Sequence, residues 1–583
     1  MGYLLGHSRR GAGVALSNTE RSTHLHVVGA SGTGKSKLLE SLIRQDILAG
    51  RGLCLIDPHG TLADAVLAWC ASRKADQWRK IHVVTPADLD WSAGFNPLRL
   101  DTVVEPQARV DAMVSACAQV WGGEDLATTP LLKRCLKAVF YVLAVRELTL
   151  VEATELITVR HAQTLRRTLT EDLPNPVFDA QWGDFNALSN RDFLETFGST
   201  NNRLMEFLSS PVVRRMVGQR RNVLDLRQAM DEGEIVIVNL AGRGVISEEN
   251  SRLIGTLLTS ELFLLAKARG PAISQRRPFA LYIDEAHQFI TNSIERMLDE
   301  TRKFGLHVVL SHQRLLQLGD PKSAIYNGVM AGGQTKVVFG GLADEDAKVM
   351  ALHVFRSTFN LERPKRVLDK PVVVDEVPYW LESESQTESH SSTSGSGSST
   401  STSHSSATTE GGATDFNWPR ETGFFWSAPE DPFRYSQSQS TSSSRSGAEG
   451  FSVHESSTDS YSSTRGRSQT LKSVRVVLPT AVYSLEEELH RAVVQLRELP
   501  RQTAIAKRPG RPPVRMRPET VKTALVRPER AAAFVEQTRR ASDYLALASM
   551  AEAEIAERRV SMRGGPPARA DQKNDPFWAE EVA

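Results

Sequence analysis

Residues 24–60 read HLHVVGASGTGKSKLLESLIRQDILAGRGLCLIDPHG, two short apolar runs separated by a glycine-rich turn and an amphipathic stretch. HLHVVG (24–29) predicts a buried strand, GTGKSKLLESLIRQDILAG (32–50) a helix, and GLCLIDPHG (52–60) a second buried strand. A strand, helix and strand in that order form a β-α-β unit, which implies a parallel sheet with helices on its faces. The turn GASGTGKS (29–36) fits G-x-x-x-x-G-K-[ST] without a mismatch. Its glycines let backbone N–H groups close around phosphate oxygens, and the following helix presents its positive end to them. Gly29, Ala30, Ser31, Gly32, Thr33, Gly34, Lys35, Ser36 and Lys37 are therefore the expected nucleotide cradle. Lys35 is expected to reach the β- and γ-phosphates of ATP, and the Ser36 hydroxyl to coordinate Mg²⁺.

The same sheet pattern continues at IHVVTP (81–86) and stops near Pro106. Residues 106–219 instead carry apolar side chains at helical spacing, as in TPLLKRCLKAVFYVLAV (129–145), and predict an inserted all-helical domain. Strand signals resume with EIVIVNL (234–240), FALYID (279–284), LHVVLSHQ (306–313) and TKVVFGG (335–341); KRVLDK and PVVVDEV (365–377) suggest a closing hairpin. LYIDEAHQFI (281–290) supplies the acidic half of a nucleotide site. A carboxylate ending a buried strand can hold the metal through water, a role that fits Asp284, and Glu285 beside it can polarise the attacking water. Gln313 closes a strand where an amide can sense the γ-phosphate; the plain alternative is a polar strand end meeting solvent. Arg302 in IERMLDETRKFG is a candidate arginine finger for a neighbouring subunit, an effect worth about 10³–10⁵ in rate, or else a solvated helical charge.

Asp-Glu-Ala-His occurs both in monomeric two-lobed helicases and in ring-forming translocases. After TKVVFGG the sequence shows no second ATPase-like lobe, so trans-acting residues must come from another subunit. GASGTGKSKLLESLIRQDI, GLCLIDPHG, YIDEAHQFI, ETRKFGLHVVLSHQ and QTKVVFGG, in this order over roughly residues 20–380, resemble the HerA/FtsK superfamily of P-loop ATPases. The likeness points to its HerA and TraD/TraG-type conjugative coupling branch, the DNA-binding ATPases of type IV secretion. The resemblance implies an α/β, RecA-like P-loop NTPase with a parallel-rich central sheet and an inserted all-helical domain. It implies a hexamer that pumps DNA through a channel, with Lys35 and Ser36 on ATP and Mg²⁺ and Asp284 and Glu285 in hydrolysis. It makes Arg302 the finger and supports Gln313 as the sensor. The family's usual leading segments, transmembrane helices or a small β-barrel, have no counterpart before Leu25, so the expected organisation starts close to the ATPase fold.

The expected domains are 1–105 and 220–381 for the two parts of the ATPase, with 106–219 inserted between them. Residues 382–470 are Ser/Thr/Gly-rich and read as a disordered linker, interrupted by the aromatic FNWPRETGFFWSAPEDPFRY (416–435). Residues 471–583 read as a small helical region with a flexible tail. In it, Ser484 and Glu487 fit a capping box ahead of Leu485, Leu489, Val493 and Leu496, and a second helix is expected over 529–560. EDPFRY (430–435) and NDPFWAE (574–580) share a core that suits a docking peptide for a protein partner or is a coincidence. AKRPGRPPVRMRP (506–518) reads equally as a phosphate-touching arm or a solvated linker.

Bulk properties bound these readings. The 583 residues are 40% hydrophobic and 24% charged with a formal net charge of +1, so a DNA-binding surface has to be local or made by assembly. Four cysteines without a C-x-x-C pair suit a reducing cytoplasm, and no apolar run approaches the roughly 18 residues of a membrane span. The leading expectation is an ATP-driven, ring-forming DNA translocase. The alternatives are an ATPase that energises secretion, and an ATP-controlled assembly scaffold, for example in phage defence, neither of them stimulated by DNA.

Overall fold

The computed structural model describes residues 3–100, 104–121, 130–158, 163–269, 277–291, 294–360, 364–367, 372–392, 400–410, 457–476 and 479–563. They fall into two units, residues 1–359 with 485–583, and residues 360–484. In the first unit the strands are β1 (Tyr3–Ser8), β2 (Gly13–Leu16), β3 (Leu25–Val28), β4 (Gly52–Asp57), β5 (Ile81–Val84) and β6 (Trp91–Ala93). They continue with β7 (Ile235–Asn239), β8 (Phe279–Ile283), β9 (Leu306–His312) and β10 (Thr335–Phe339). The second unit holds β11 (Pro364–Val367), β12 (Val372–Ser392), β13 (Thr400–Glu410), β14 (Ser457–Val476) and β15 (Pro479–Val482). The chain then returns to the first unit with β16 (Ala504–Lys507), β17 (Val514–Pro518) and β18 (Leu545–Leu547).

Among the described residues the central sheet has eleven strands in the order β2-β1-β17-β16-β10-β3-β9-β8-β4-β7-β5. From β10 to β5 every neighbouring pair is parallel. From β10 to β2 every pair is antiparallel. The parallel strands β3, β4, β5, β7, β8, β9 and β10 are buried along their whole length, which is why they read as near-continuous apolar runs rather than alternating ones. Sheet and helices thus give the doubly covered α/β core that the sequence predicts.

The insertion between β6 and β7 is entirely helical among the described residues, from Pro106–Val120 through Pro130–Val145 and Asn190–Ser209 to Pro211–Gly218. Its centre is aromatic. The rings of Trp182 and Phe197 stack with centroids 5.7 Å apart, Phe193 lies 4.5 Å from Phe197, and Trp182 donates its indole N–H to the Ala138 carbonyl at 3.2 Å. No helix among the described residues is long and apolar enough to cross a membrane.

Residues beyond 484 depart most from expectation. The basic stretch 506–518 is neither a linker nor a free arm, because β16 and β17 build it into the central sheet between β10 and β1. Ala504, Ile505, Ala506 and Met516 are buried there, and VRMRP (514–518) is an apolar/basic alternation of strand period that the prolines obscure. The helix expected over 529–560 is two, Pro528–Arg540 and Ala548–Met562, separated by β18, which pairs with β6. Tyr544 enforces the break: its ring is buried and its hydroxyl donates to the Val83 carbonyl at 3.2 Å. The helix Leu485–Arg497 buries Val493 and Leu496 and packs Leu489 at the core margin as its spacing predicts, but leaves Leu485 exposed.

In the second unit β11 pairs with β15, and β12 with β14, so among the described residues KRVLDK and PVVVDEV are not paired with each other. β12 also pairs with β13, register Glu382↔Glu410 to Ser392↔Thr400, within the stretch that composition predicts as coil. Ladder hydrogen bonds belong to the backbone, so polar residues can join them, although a strand polar on both faces specifies its register weakly. The aromatic segment 416–435 and the tail motif 574–580 lie outside the described residues.

The helix Ala548–Met562 fastens the helical insertion. Arg558 reaches the buried Glu152 at 3.0 Å and the Gly218 carbonyl at 2.6 Å, while Arg559 and Arg563 meet Glu155 at 3.0 and 2.6 Å. Removing the cation leaves the buried Glu152 carboxylate without a counter-charge, held only by its bonds from Thr149. We expect Arg558→Ala to lower unfolding stability by about 3 kcal/mol, read from urea melts, against less than about 1 kcal/mol for Arg191→Ala, which breaks the exposed Arg191–Glu195 pair.

Candidate nucleotide-binding site

The phosphate loop turns out of β3 at Gly29 and enters the helix Lys35–Leu48. Gly29 has no room for a side chain, since a Cβ would sit 2.4 Å from Cβ of Phe339 on the adjacent β10. Gly34, with φ of 121°, takes a backbone shape that other residues rarely adopt. The loop is cross-tied: the Ala30 N–H donates to the Gly340 carbonyl at 3.2 Å, and the Thr33 hydroxyl donates to the Ala30 carbonyl at 2.7 Å. Lys35 folds back over it and donates to the carbonyls of Gly29 (2.7 Å) and Ala30 (3.0 Å). Burial lowers the Lys35 pKa, opposed by the nearby charges of Glu285 and Asp284. Ser31, Gly32, Ser36 and Lys37 are at the surface, and Lys37 pairs with Glu40 at 2.8 Å.

β8 delivers the carboxylates. Asp284 follows its last residue, donates its N–H to the Ile56 carbonyl on β4 at 3.1 Å, and is 6% exposed. Burial pushes its pKa up; the Ser311 hydroxyl opposes the rise, and the charges of Asp57 and Glu285 add to it. Glu285 sits in the left-handed region, φ 46°, a strained conformation for a non-glycine residue. That backbone shape directs its carboxylate to the neighbouring strand end, where Gln313 donates its side-chain amide to Glu285 Oε1 at 2.7 Å. Lys35, Asp284, Glu285 and Gln313 therefore meet at one edge of the sheet.

Arg302 does not join them. It is exposed and precedes β9, whereas Gln313 follows it, so the two lie at opposite ends of a seven-residue strand, on the order of 20 Å apart. Arg302 is instead close enough to His24 for its charge to add to burial in lowering that imidazole's pKa, against the Leu298 carbonyl, which raises it. Within one chain it cannot reach the phosphate loop.

Several further residues at this edge carry no motif of their own in the sequence. Asp57, ending β4, accepts N–H groups from His59 (2.9 Å), Leu62 (2.8 Å) and Ala63 (2.9 Å), and so shapes the floor below Asp284. Asn239, ending β7, donates to Asp64 at 3.2 Å. Ser311 and His312 end β9, with His312 Nε2 2.6 Å from His26 Nε2. Position at the carboxyl end of a parallel strand is the signal available for all of them.

These groups fit a magnesium nucleotide. Glu285 Oε2 is buried without a hydrogen-bond partner, with His287 Nδ1 3.5 Å away. Lys35 spends its donors on loop carbonyls that phosphate oxygens can replace. Among the described residues no three His, Cys, Asp or Glu are grouped to hold a metal, so a cation here depends on phosphate ligands as Mg²⁺ commonly does.

No protein-family model matches the chain, and no curated protein matches it in sequence. Its structure is similar to that of the bacterial conjugative coupling protein TrwBΔN70 in its unbound form, with a TM-score of 0.50 and 16% identity, covering 90% of this chain and 91% of that one. The two share a fold. TrwB in complex with ADP and Mg²⁺ also matches, with a TM-score of 0.47 and 15% identity over 90% and 91% of the chains. VirB4 of Thermoanaerobacter pseudethanolicus matches with a TM-score of 0.42 and 14% identity over 60% and 87%. The breadth of the TrwBΔN70 match is in keeping with the RecA-like architecture and inserted helical domain expected from the sequence.

Asp284 yields a prediction about stability. A carboxyl whose pKa is raised on folding contributes most at low pH, and that contribution is lost as pH rises from its unfolded value through the folded one. At neutral pH the ionised group is a net cost. We expect Asp284→Asn to stabilise the nucleotide-free protein at pH 7 by about 0.5–1 kcal/mol, and the gain to shrink in denaturant melts repeated near pH 4.

Proposed function

We propose that the chain is an ATP hydrolase of the coupling type, a ring-forming motor that moves DNA. The observation that carries this reading is the meeting of Lys35, Asp284, Glu285 and Gln313 beside a G-x-x-x-x-G-K-S turn. The loop from Gly29 to Lys37 binds the phosphates, Lys35 leaving its carbonyls for the β- and γ-phosphate oxygens. Ser36 and Asp284 would hold Mg²⁺, which would supply charge neutralisation at the phosphates. Glu285 accepts a proton from the attacking water as the water oxygen bonds to the γ-phosphorus and the bond to the β–γ bridging oxygen breaks, ADP leaving. Gln313, already bonded to Glu285, reports whether the γ-phosphate is in place. The TrwB fold supports placing the chain with type IV secretion ATPases.

The position of Arg302 supports a multi-subunit arrangement, probed most simply as a hexamer. A cation at the edge opposite its own phosphate loop can serve catalysis only in a neighbour's site. DNA would be gripped through its phosphates without base reading, which makes binding salt-sensitive. The 416–435 segment and the 574–580 tail are proposed docking peptides for a protein partner.

ATP turnover with and without DNA across a salt series, with Lys35→Ala as the blank, tests the reading. Stimulation that fades as salt rises is the expected result. Turnover indifferent to DNA would overturn the translocase in favour of a secretion energiser or a scaffold. Glu285→Gln is expected to keep nucleotide binding while turnover falls by about 10²–10⁴. Mixing Glu285→Gln with Arg302→Ala subunits should restore part of the lost turnover, because some interfaces then combine an intact Glu285 with a neighbour's intact Arg302; absence of any recovery would remove Arg302 from the site.

A further inference from the structure

The loop between the helix Leu485–Arg497 and β16 lies against the phosphate loop. The Gln502 N–H donates to the Thr33 carbonyl at 2.9 Å, and a Cβ on Gly34 would come within 3.6 Å of the Gln502 Cα. Upstream, the Gly341 N–H donates to the Arg497 carbonyl at 3.3 Å, and a Cβ on Gly340 would meet the Leu499 carbonyl oxygen at 2.4 Å. Residues 497–502 are therefore held at both ends against the loops that follow β3 and β10. Gln502 is left-handed, φ 57°, and both Gln502 and Arg501 are exposed.

Strand order gives this loop a direction. β3 lies between β9 and β10. Asp284, Glu285 and Gln313, which take the γ-phosphate end, all belong to the β8–β9 side. A nucleotide lying across the phosphate loop with its γ-phosphate toward β9 carries its ribose and base away from those carboxylates, toward β10 and residues 497–502.

We infer that Arg501 and Gln502 form the nucleoside-side wall of the site, contacting the ribose and base of a bound purine nucleotide. The inference rests on the nucleotide reading above. The chemistry of the pair matches a nucleoside: a planar guanidinium packs on a base face, and an amide offers both a donor and an acceptor to a base edge. The segment long past the ATPase core motifs thus becomes part of the pocket, and nucleoside selectivity resides there rather than in the phosphate loop.

The test compares MgADP with magnesium tripolyphosphate, which has the phosphates and no nucleoside, by calorimetry on the full chain. The variants are Arg501→Ala and Gln502→Gly; glycine keeps the left-handed backbone and the N–H bond to Thr33. The expected result is MgADP binding weakened about tenfold in each variant, with tripolyphosphate binding unchanged. Unaltered MgADP binding in both variants would refute the wall while leaving the phosphate site standing. An equal loss of both ligands would also refute it, showing that the loop only props the phosphate loop. If the unmutated chain binds neither ligand, the nucleotide reading falls and this inference with it.

Discussion

Parallel strands bring all their carboxyl ends to the same edge of a sheet, and everything proposed for this chain depends on that geometric fact. Backbone pairing of β3 with β9 and β9 with β8 sets the glycine-rich turn, the Gln313 amide and the two carboxylates side by side without any long-range side-chain recognition. The register is fixed because both faces of these strands are buried, so slipping any of them by one residue would exchange the two buried layers. Charge then concentrates where the strands end. Burial and the charges of Asp57 and Glu285 together raise the Asp284 pKa, a cost the fold tolerates at the position where a cation would relieve it.

The side of the sheet away from the carboxylates is built differently. Four antiparallel strands extend it past β10, and two of them come from the far end of the chain. A buried network anchors the outermost part. Arg21 forks onto Asp46 with one bond of 2.6 Å, and Tyr282 of β8 bonds both to Asp46, at 2.5 Å, and to the Tyr3 hydroxyl. With Arg51 adding a cation at 3.4 Å, Asp46 is a fully buried charge surrounded by donors, which is what permits its burial.

How much of this is legible in sequence follows from the range of each signal. All seven parallel strands are visible, because a strand buried on both faces is an apolar run bounded by turns. The glycine-rich turn and the Asp284–Glu285 pair are visible because each is a pattern of consecutive residues. Gln313 is identified by position, and the structure supplies what position cannot, its bond to Glu285. Arg302 is legible as a cation ahead of β9, and the length of that strand sets it at the end away from Gln313. The β16–β17 hairpin escapes the sequence because proline and arginine content outweighs a short alternation. Its pairing partners also lie about 170 and 510 residues earlier in the chain, by the registers Lys336↔Lys507 and His7↔Arg517. Tyr544 likewise breaks a helix through a contact with Val83 that no local pattern announces.

That separation has a consequence for how the chain is made. β1 is hydrogen-bonded to β2 on one side and to β17 on the other. While the ribosome is still elongating, β17 does not exist, and the first hairpin has nothing but its own turn and the underlying helix to hold it. The antiparallel half of the sheet is therefore closed late, after the parallel half has every strand it needs. A ribosome stalled before residue 504 would release a chain whose β10 edge lies open along Thr335–Phe339, a strand otherwise buried throughout and now able to pair with another molecule. β16 covers that edge once it is in place.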